Sequence, residues 1–208
     1  MRDELRPVRE TYEEKIEQRG KDAVSVGHGD PDKQLLRYRK LTYAFRRASS
    51  PVSVNDYGSG YGGFYRYLDR QTDLDLGTYN CYDISEKMLD EARETIESED
   101  ARFHNGDEIT TEADVSIACM TFHDSHDNSD EEWNQYTKDA IENMYEMSTS
   151  AIGFTGLTKY VDYEEDNLYY ADPEEFFHFC KSNLSDNVTL LHDYGLYEWT
   201  IVAFKDSA

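Results

Sequence analysis

Pro51-Val-Ser-Val-Asn-Asp-Tyr-Gly-Ser-Gly-Tyr-Gly-Gly63 is the stretch on which the reading of this chain turns. Val52 and Val54 alternate as in a strand, and Asp56 closes it. Gly58, Gly60 and Gly62 follow at every second position. Lacking a Cβ, each can take φ > 0 and let the backbone approach a ligand. Residues 64–68 are then apolar enough to begin a packed helix. Glycine loops that join a strand to a helix are built to hold a ligand at the helix N-terminus.

Two ligands fit the loop. Gly58-x-Gly60-x-x-Gly63 satisfies the dinucleotide pattern, with Asp83 downstream at a workable distance for a ribose contact. Asp56, however, stands two residues before the first glycine, at the strand's carboxyl end, where it would repel a pyrophosphate. A carboxylate there suits a cation. S-adenosylmethionine (SAM) carries a sulfonium and an ammonium and no phosphate, so electrostatics favours it over NAD. A glycine-rich turn with no ligand is the third reading.

Working outward, 208 residues with four prolines and no Pro/Ser-rich linker suit one domain, 1–208. A helical cover over 1–48 precedes a core over 50–208. Net charge is −23, from 44 acidic and 21 basic residues, with acids spread along the whole chain. That argues against nucleic acid and anionic membrane as partners, since phosphate binding needs clustered Lys and Arg. Acidic excess of this kind also fits a salt-loving source, where screening relieves self-repulsion. No apolar run reaches membrane-span length and Met1-Arg-Asp-Glu-Leu5 is not a signal peptide, so a cytoplasmic protein is expected. Cys81, Cys119 and Cys180 are far apart and odd in number, which predicts free buried thiols rather than disulfides or a zinc site.

Val8, Tyr12 and Ile16 form an i, i+4, i+8 stripe on a helix over 8–19. A loop follows over 25–31, with Gly27 and Gly29 as breakers. Asp30 or Asp32 caps a second helix running to about Ala48, with Leu35, Leu36, Tyr38, Leu41 and Phe45 on its apolar side. Strands are expected at 78–83, 101–105, 115–120 and 151–157. Helices are expected after Ser85 and over 129–147. Residues 159–171 read as a polar, tyrosine-rich insertion. Asp172-Pro173-Glu174-Glu175 starts another helix with an N-cap Asp and Pro at N1. Strands at 188–191 and 199–204 make a terminal antiparallel pair. The expected fold is therefore α/β: a Rossmann-like, seven-stranded, mostly parallel sheet with an antiparallel terminal hairpin and helices on both faces. Ligands bind such sheets at the carboxyl ends of the strands, where Asp56, Asp83, Asp107 and His123 all fall.

These elements resemble the class I SAM-dependent methyltransferases across roughly residues 50–205. Val54-Asn-Asp-Tyr-Gly-Ser-Gly-Tyr-Gly62 is similar to their first motif. Tyr82-Asp-Ile-Ser-Glu-Lys-Met-Leu-Asp-Glu-Ala-Arg93 resembles their acidic second-strand motif, and Phe103-His-Asn-Gly-Asp107 the motif after the third strand. The lead-in from Val26-Gly27 to Tyr38 and the tail around His192–Glu198 are similar to a little-characterised bacterial subgroup. Asn55 and Tyr57 depart from the usual Leu and small aliphatic, and Thr155 from the subgroup's Asn. The resemblance implies that Gly58, Gly60 and Gly62 pass beneath the methionine part of SAM, and that Asp56 holds its ammonium. It implies that Asp83 accepts both ribose hydroxyls and that Asp107 takes the adenine amino group, with Glu108 beside the ring and Ile84 packed on it.

Arg37 offers the carboxylate of SAM a bidentate fork, with Gln34 one helical turn away; a salt bridge to a surface acid is the competing role. His123-Asp-Ser-His126-Asp127 follows the fourth strand. Its readings are a general base at His123, a solvated loop, and a His-x-x-His metal site, of which no metal is expected for want of a third partner. Tyr160, Tyr163, Tyr169 and Tyr170, with His192, Asp193 and Tyr194, are candidates for an acceptor pocket or for plain aromatic packing. The function expected is methyl transfer from SAM to a small molecule or glycan. The alternatives are an NAD(P)-dependent oxidoreductase and a non-catalytic SAM-binding module.

Overall fold

The computed structural model describes residues 2–19, 30–71, 73–126 and 128–206. Gly27, Gly29 and the rest of the expected loop up to residue 29 lie outside the described residues, as does Asp127.

Helix α1 (Arg6–Arg19) follows a 3₁₀ turn at Asp3–Leu5. Helix α2 (Pro31–Leu41) starts on the Asp30 carboxylate, which accepts from the Asp32 amide, and has Pro31 at its first turn. It tightens into 3₁₀ at Thr42–Arg47 instead of continuing as α-helix to Ala48. Leu35, expected on the apolar side, is 40% exposed, while Tyr38, Leu41 and Phe45 are buried.

Then come β1 (Val52–Tyr57), α3 (Gly63–Gln71), β2 (Leu76–Asp83), α4 (Glu86–Thr95), β3 (Ala101–Asn105) and β4 (Ala113–Ala118). They are followed by α5 (Asp130–Glu146), β5 (Ser148–Thr158), β6 (Tyr170–Ala171), α6 (Pro173–Asn183), β7 (Asn187–Leu191) and β8 (Glu198–Phe204). Local chemistry sets the helix starts. Ser129 and Glu132 form a capping box on α5, and the Asp172 carboxylate receives the Glu174 amide at the start of α6. Removing such a cap costs about 1 kcal/mol.

The strand order is β3-β2-β1-β4-β5-β8-β7, parallel except for β8, which runs antiparallel to β5 and β7. The expected seven strands are present on this path. An eighth, two-residue β6 pairs with the end of β5 at Leu157 and Thr158, inside the stretch expected to be a plain insertion. Its short length and polar flanks hide it from periodicity.

Helices cover both faces. On one, Trp133, Ile141 and Met144 of α5 and Phe176 of α6 pack on Phe154, Ile152 and Trp199. On the other, Tyr38, Leu41, Phe64, Leu68 and Leu89 pack on Val52, Val54 and Val115. Each of these large side chains contributes about 1.5–3 kcal/mol when fully buried. Asn55 is fully buried within this core. Its amide donates to the Thr111 carbonyl (2.8 Å) and its carbonyl accepts from Asn80 (2.9 Å), so the polar residue at a usually apolar position is satisfied. Cys81 and Cys180 are buried free thiols and Cys119 is partly buried. Among the described residues no helix is long and apolar enough to cross a membrane.

Candidate functional site

β1 lies between β2 and β4, and chain connections leave it in opposite directions there. This reversal opens a crevice beyond the strand carboxyl ends. The Gly58 and Ser59 amides both donate to the Tyr82 carbonyl at the end of β2 (2.8 and 3.0 Å), which pins the loop beside its neighbour strand. Gly58 has φ +71°, and a Cβ on it would stand 2.5 Å from the Thr121 side chain. Gly60, at φ +55°, has nothing within 4 Å of its Cβ direction. The loop is thus closed on one side and open on the other.

The open side faces a cavity with about 1020 Å³ of atom-free space, mouth included. Its floor is Asp56 and the loop from Gly58 to Gly60. One wall is Asp83, Ile84, Ser85 and Gly106; another is Cys119, Met120 and Thr121 after β4. Leu5, Val8 and Tyr12 of the N-terminal segment and Gln34, Arg37 and Tyr38 of α2 cover it.

Two carboxyls define the electrostatics. Asp56 is 2% exposed, and its Oδ2 accepts from the Tyr79 hydroxyl at 2.6 Å. Burial pushes it up to about 7, against the pull of the Tyr79 hydrogen bond and with help from the nearby Asp83 charge. Asp83 receives the Ser85 amide on Oδ1 and the Gly60 amide on Oδ2, both at 2.9 Å. Burial nonetheless pushes it up to about 6. Each oxygen keeps a second lone pair for a ligand hydroxyl. Ser85 itself caps α4 by accepting from Met88. A site with one buried and one half-buried carboxyl close together favours a cation with hydroxyls and disfavours a phosphate.

Gln34, Arg37, Asp56, Gly58, Gly60, Asp83 and Ile84 all line this one cavity. Gly62 (φ +80°) turns the chain into α3 behind it, packed on Ile96. Arg37 forks onto the buried Glu198 through Nε (2.5 Å) and Nη2 (2.6 Å), so a salt bridge is present, to a core residue of β8 and not to a surface acid. A guanidinium has five donors, and this pair takes two of them. Gln34 donates to the Tyr61 hydroxyl at 2.8 Å.

Asp107, Glu108 and His123 do not line the cavity as Gly106 does. The Asp107 carboxylate receives the Arg2 amide (2.8 Å), its carbonyl receives the Tyr57 hydroxyl (3.1 Å), and Glu108 is exposed. His123 stands off the cavity lining beside the Met120 backbone, with Nε2 3.3 Å from Asp124 Oδ2 and a buried Nδ1 that meets no partner at good hydrogen-bond geometry among the described residues. Burial holds its imidazole below the usual range, although Asp124 favours the charged form. Among the described residues no group of three ligands could hold a metal. Tyr169 is buried in the core and accepts from Asn134, whereas Tyr160 and Tyr163 are exposed. None of the four insertion tyrosines reaches the cavity wall.

Sequence reading missed Tyr12, Glu198, Trp133 and Tyr136 as site residues. Tyr12, Trp133 and Tyr136 lie on apolar helix stripes and so looked like core alone. Glu198 meets Arg37 across 161 residues, a pairing that no local pattern announces.

No family model matches the chain. It is similar to Rv1506c of Mycobacterium tuberculosis, which carries a provisional methyltransferase name, at 38% identity over 166 residues. That match covers 77% of this chain and 97% of the relative. Among solved structures, magnesium protoporphyrin IX methyltransferase (ChlM) from Synechocystis PCC 6803 with bound SAM superposes with a TM-score of 0.64 at 13% identity, over 99% of both chains. The DhpI–SAH complex does so with a TM-score of 0.61 at 14% identity, over 96% of this chain and 93% of the other. At such identities the superpositions establish a shared fold.

Proposed function

The chain belongs to the class I S-adenosylmethionine-dependent methyltransferases, and we propose that it holds SAM in the cavity above the glycine loop and methylates a small molecule or glycan. The observation that carries the site assignment is the pair of carboxyls, buried Asp56 and half-buried Asp83, facing one cavity across the glycine loop. The whole chain, 1–208, would act as one methyltransferase unit, with α1 and α2 as its cover.

When bound, SAM supplies a methyl made electrophilic by its sulfonium. The residues' work is then binding, alignment and exclusion of water. Asp56 pairs with the ammonium, losing its own proton as the cation arrives. Asp83 takes the ribose hydroxyls on the lone pairs that Ser85 and Gly60 leave. Arg37, steadied by Glu198, offers its remaining donors to the methionine carboxylate, and Gln34 borders the same end. Ile84 packs on the adenine, and Gly106 brings the turn of Asp107 and Glu108 to the ring edge. His123, held below its usual range by burial, does not line the cavity, so the proton of an acceptor that binds protonated leaves through a group that does.

The acidic chain disfavours nucleic acid as acceptor, because its 44 acidic residues outnumber 21 basic ones and repel phosphate. SAM labelled on its methyl, incubated with a small-molecule extract and with RNA, tests the acceptor class. Label in low-molecular-weight products that is absent with Asp83→Ala agrees with it. Label in RNA alone rejects it.

A further inference from the structure

Tyr12 is the polar side chain that the cover helix α1 brings to the cavity wall. Its hydroxyl donates to Asp124 Oδ2 at 2.5 Å, and the same oxygen lies 3.3 Å from His123 Nε2. Asp124 is 4% exposed and sits in an isolated bridge with Leu168, so the insertion holds it in place. The Tyr169 amide donates to the His123 carbonyl at 2.8 Å and fixes its neighbour. Three groups, Tyr12 from the cover and His123 and Asp124 from the post-β4 loop that the insertion braces, therefore form one chain, and Tyr12 is the member that lines the cavity.

We propose that Tyr12 is a catalytic residue that carries the acceptor's proton away from the cavity through Asp124, with His123 as the positioning residue that sets the charge on Asp124. The proposal deepens the methyltransferase reading and rests on it. As the acceptor's X–H bond breaks, its proton bonds to the Tyr12 oxygen. The proton already on Tyr12 moves to Asp124 Oδ2 in the same event. Tyr12 ends neutral, Asp124 gains one proton, and the acceptor's electron pair is left for the new bond to carbon. This arrangement explains how a base that does not reach the cavity can act on a ligand inside it. It calls for an acceptor that arrives protonated, an alcohol or an amine, rather than a carbanion or a thiolate.

The groups facing this chain are Asp83 on Tyr12, and Arg37, Glu198 and the Met120 backbone on His123. Asp124 adjoins both ends. NMR titration of 15N-histidine-labelled protein without ligand reads the coupling. Asp124→Asn is expected to lower the His123 midpoint by about one pH unit or more, because the imidazolium loses an adjacent charge. Tyr12→Phe is expected to raise it by at least about half a pH unit, because the Asp124 charge is no longer shared with the phenol. In the labelled-methyl assay, Tyr12→Phe should slow transfer about 10²–10⁴-fold, the usual worth of a positioned proton acceptor. Its affinity for S-adenosylhomocysteine should stay within about threefold, since a change of that size is under 1 kcal/mol. A His123 midpoint unmoved by both substitutions, or wild-type transfer by Tyr12→Phe, overturns the relay. If the wild-type protein transfers no label at all, the methyltransferase reading fails instead, and the titration still decides whether the three groups are coupled.

Discussion

Replacing Asp56 with Asn removes the charge and keeps an oxygen for the Tyr79 hydroxyl, now 2.6 Å from Oδ2. Asp56 rises from an ordinary 3.8 to about 7 in the folded protein. Because its folded-state value is raised, the fold opposes ionisation. The penalty is absent below pH 3.8, grows as pH rises from there, and is complete above about 7. Holding a fully buried carboxyl that far above its ordinary value corresponds to about 4 kcal/mol, an upper bound before relaxation. Without ligand, Asp56→Asn should therefore be more stable than wild type at pH 8, by up to about 4 kcal/mol, and little different at pH 4. Affinity should move the other way. A hydrogen bond to a charged partner is worth about 1.5–3 kcal/mol, so S-adenosylhomocysteine should bind Asp56→Asn roughly 10- to 150-fold more weakly at pH 8. Wild-type affinity should rise between pH 6 and 8 as Asp56 ionises, and that dependence should vanish in the variant. Urea unfolding at both pH values and calorimetric titration read the two effects. Equal stability at pH 8 together with unaltered affinity would refute the reasoning.

Asp83→Ala should weaken S-adenosylhomocysteine binding by about 100-fold or more, from two lost charge-assisted bonds and a loosened Gly60 amide, as calorimetry would register. Glu198→Gln leaves the Arg37 charge partly unpaired in a site where the two side chains are 11% and 5% exposed. It should cost about 3 kcal/mol in urea unfolding, and a loss under about 0.5 kcal/mol would mean the pair is idle. Asn55→Leu, the more usual residue, should destabilise by about 1–3 kcal/mol because the Asn80 amide and the Thr111 carbonyl lose buried partners, without changing S-adenosylhomocysteine affinity.

The fold was legible because its signals are local. The β1 alternation, the glycine loop, and the caps at Ser85, Ser129 and Asp172 each declare an element within a few residues. Parallel connectivity follows from their alternation. The floor of the site was legible for the same reason: Asp56, Gly58, Gly60, Asp83 and Ile84 sit at strand ends, and all reach the cavity. What escaped depends on pairings across long separations. Arg37 with Glu198, and Tyr12 with Asp124, join residues 161 and 112 positions apart. Position after β3 predicts that Asp107 meets adenine, but Asp107 does not line the cavity and its carboxylate receives the Arg2 amide, a contact made by the fold of the N-terminus. The short β6 shows the same limit, since two residues carry no period.

Calorimetric titration with S-adenosylhomocysteine, and separately with NAD, asks the site which ligand it was built for. One S-adenosylhomocysteine per chain, bound more tightly at pH 8 than at pH 6, with no heat from NAD, is the result expected. Binding of NAD without S-adenosylhomocysteine would contradict it.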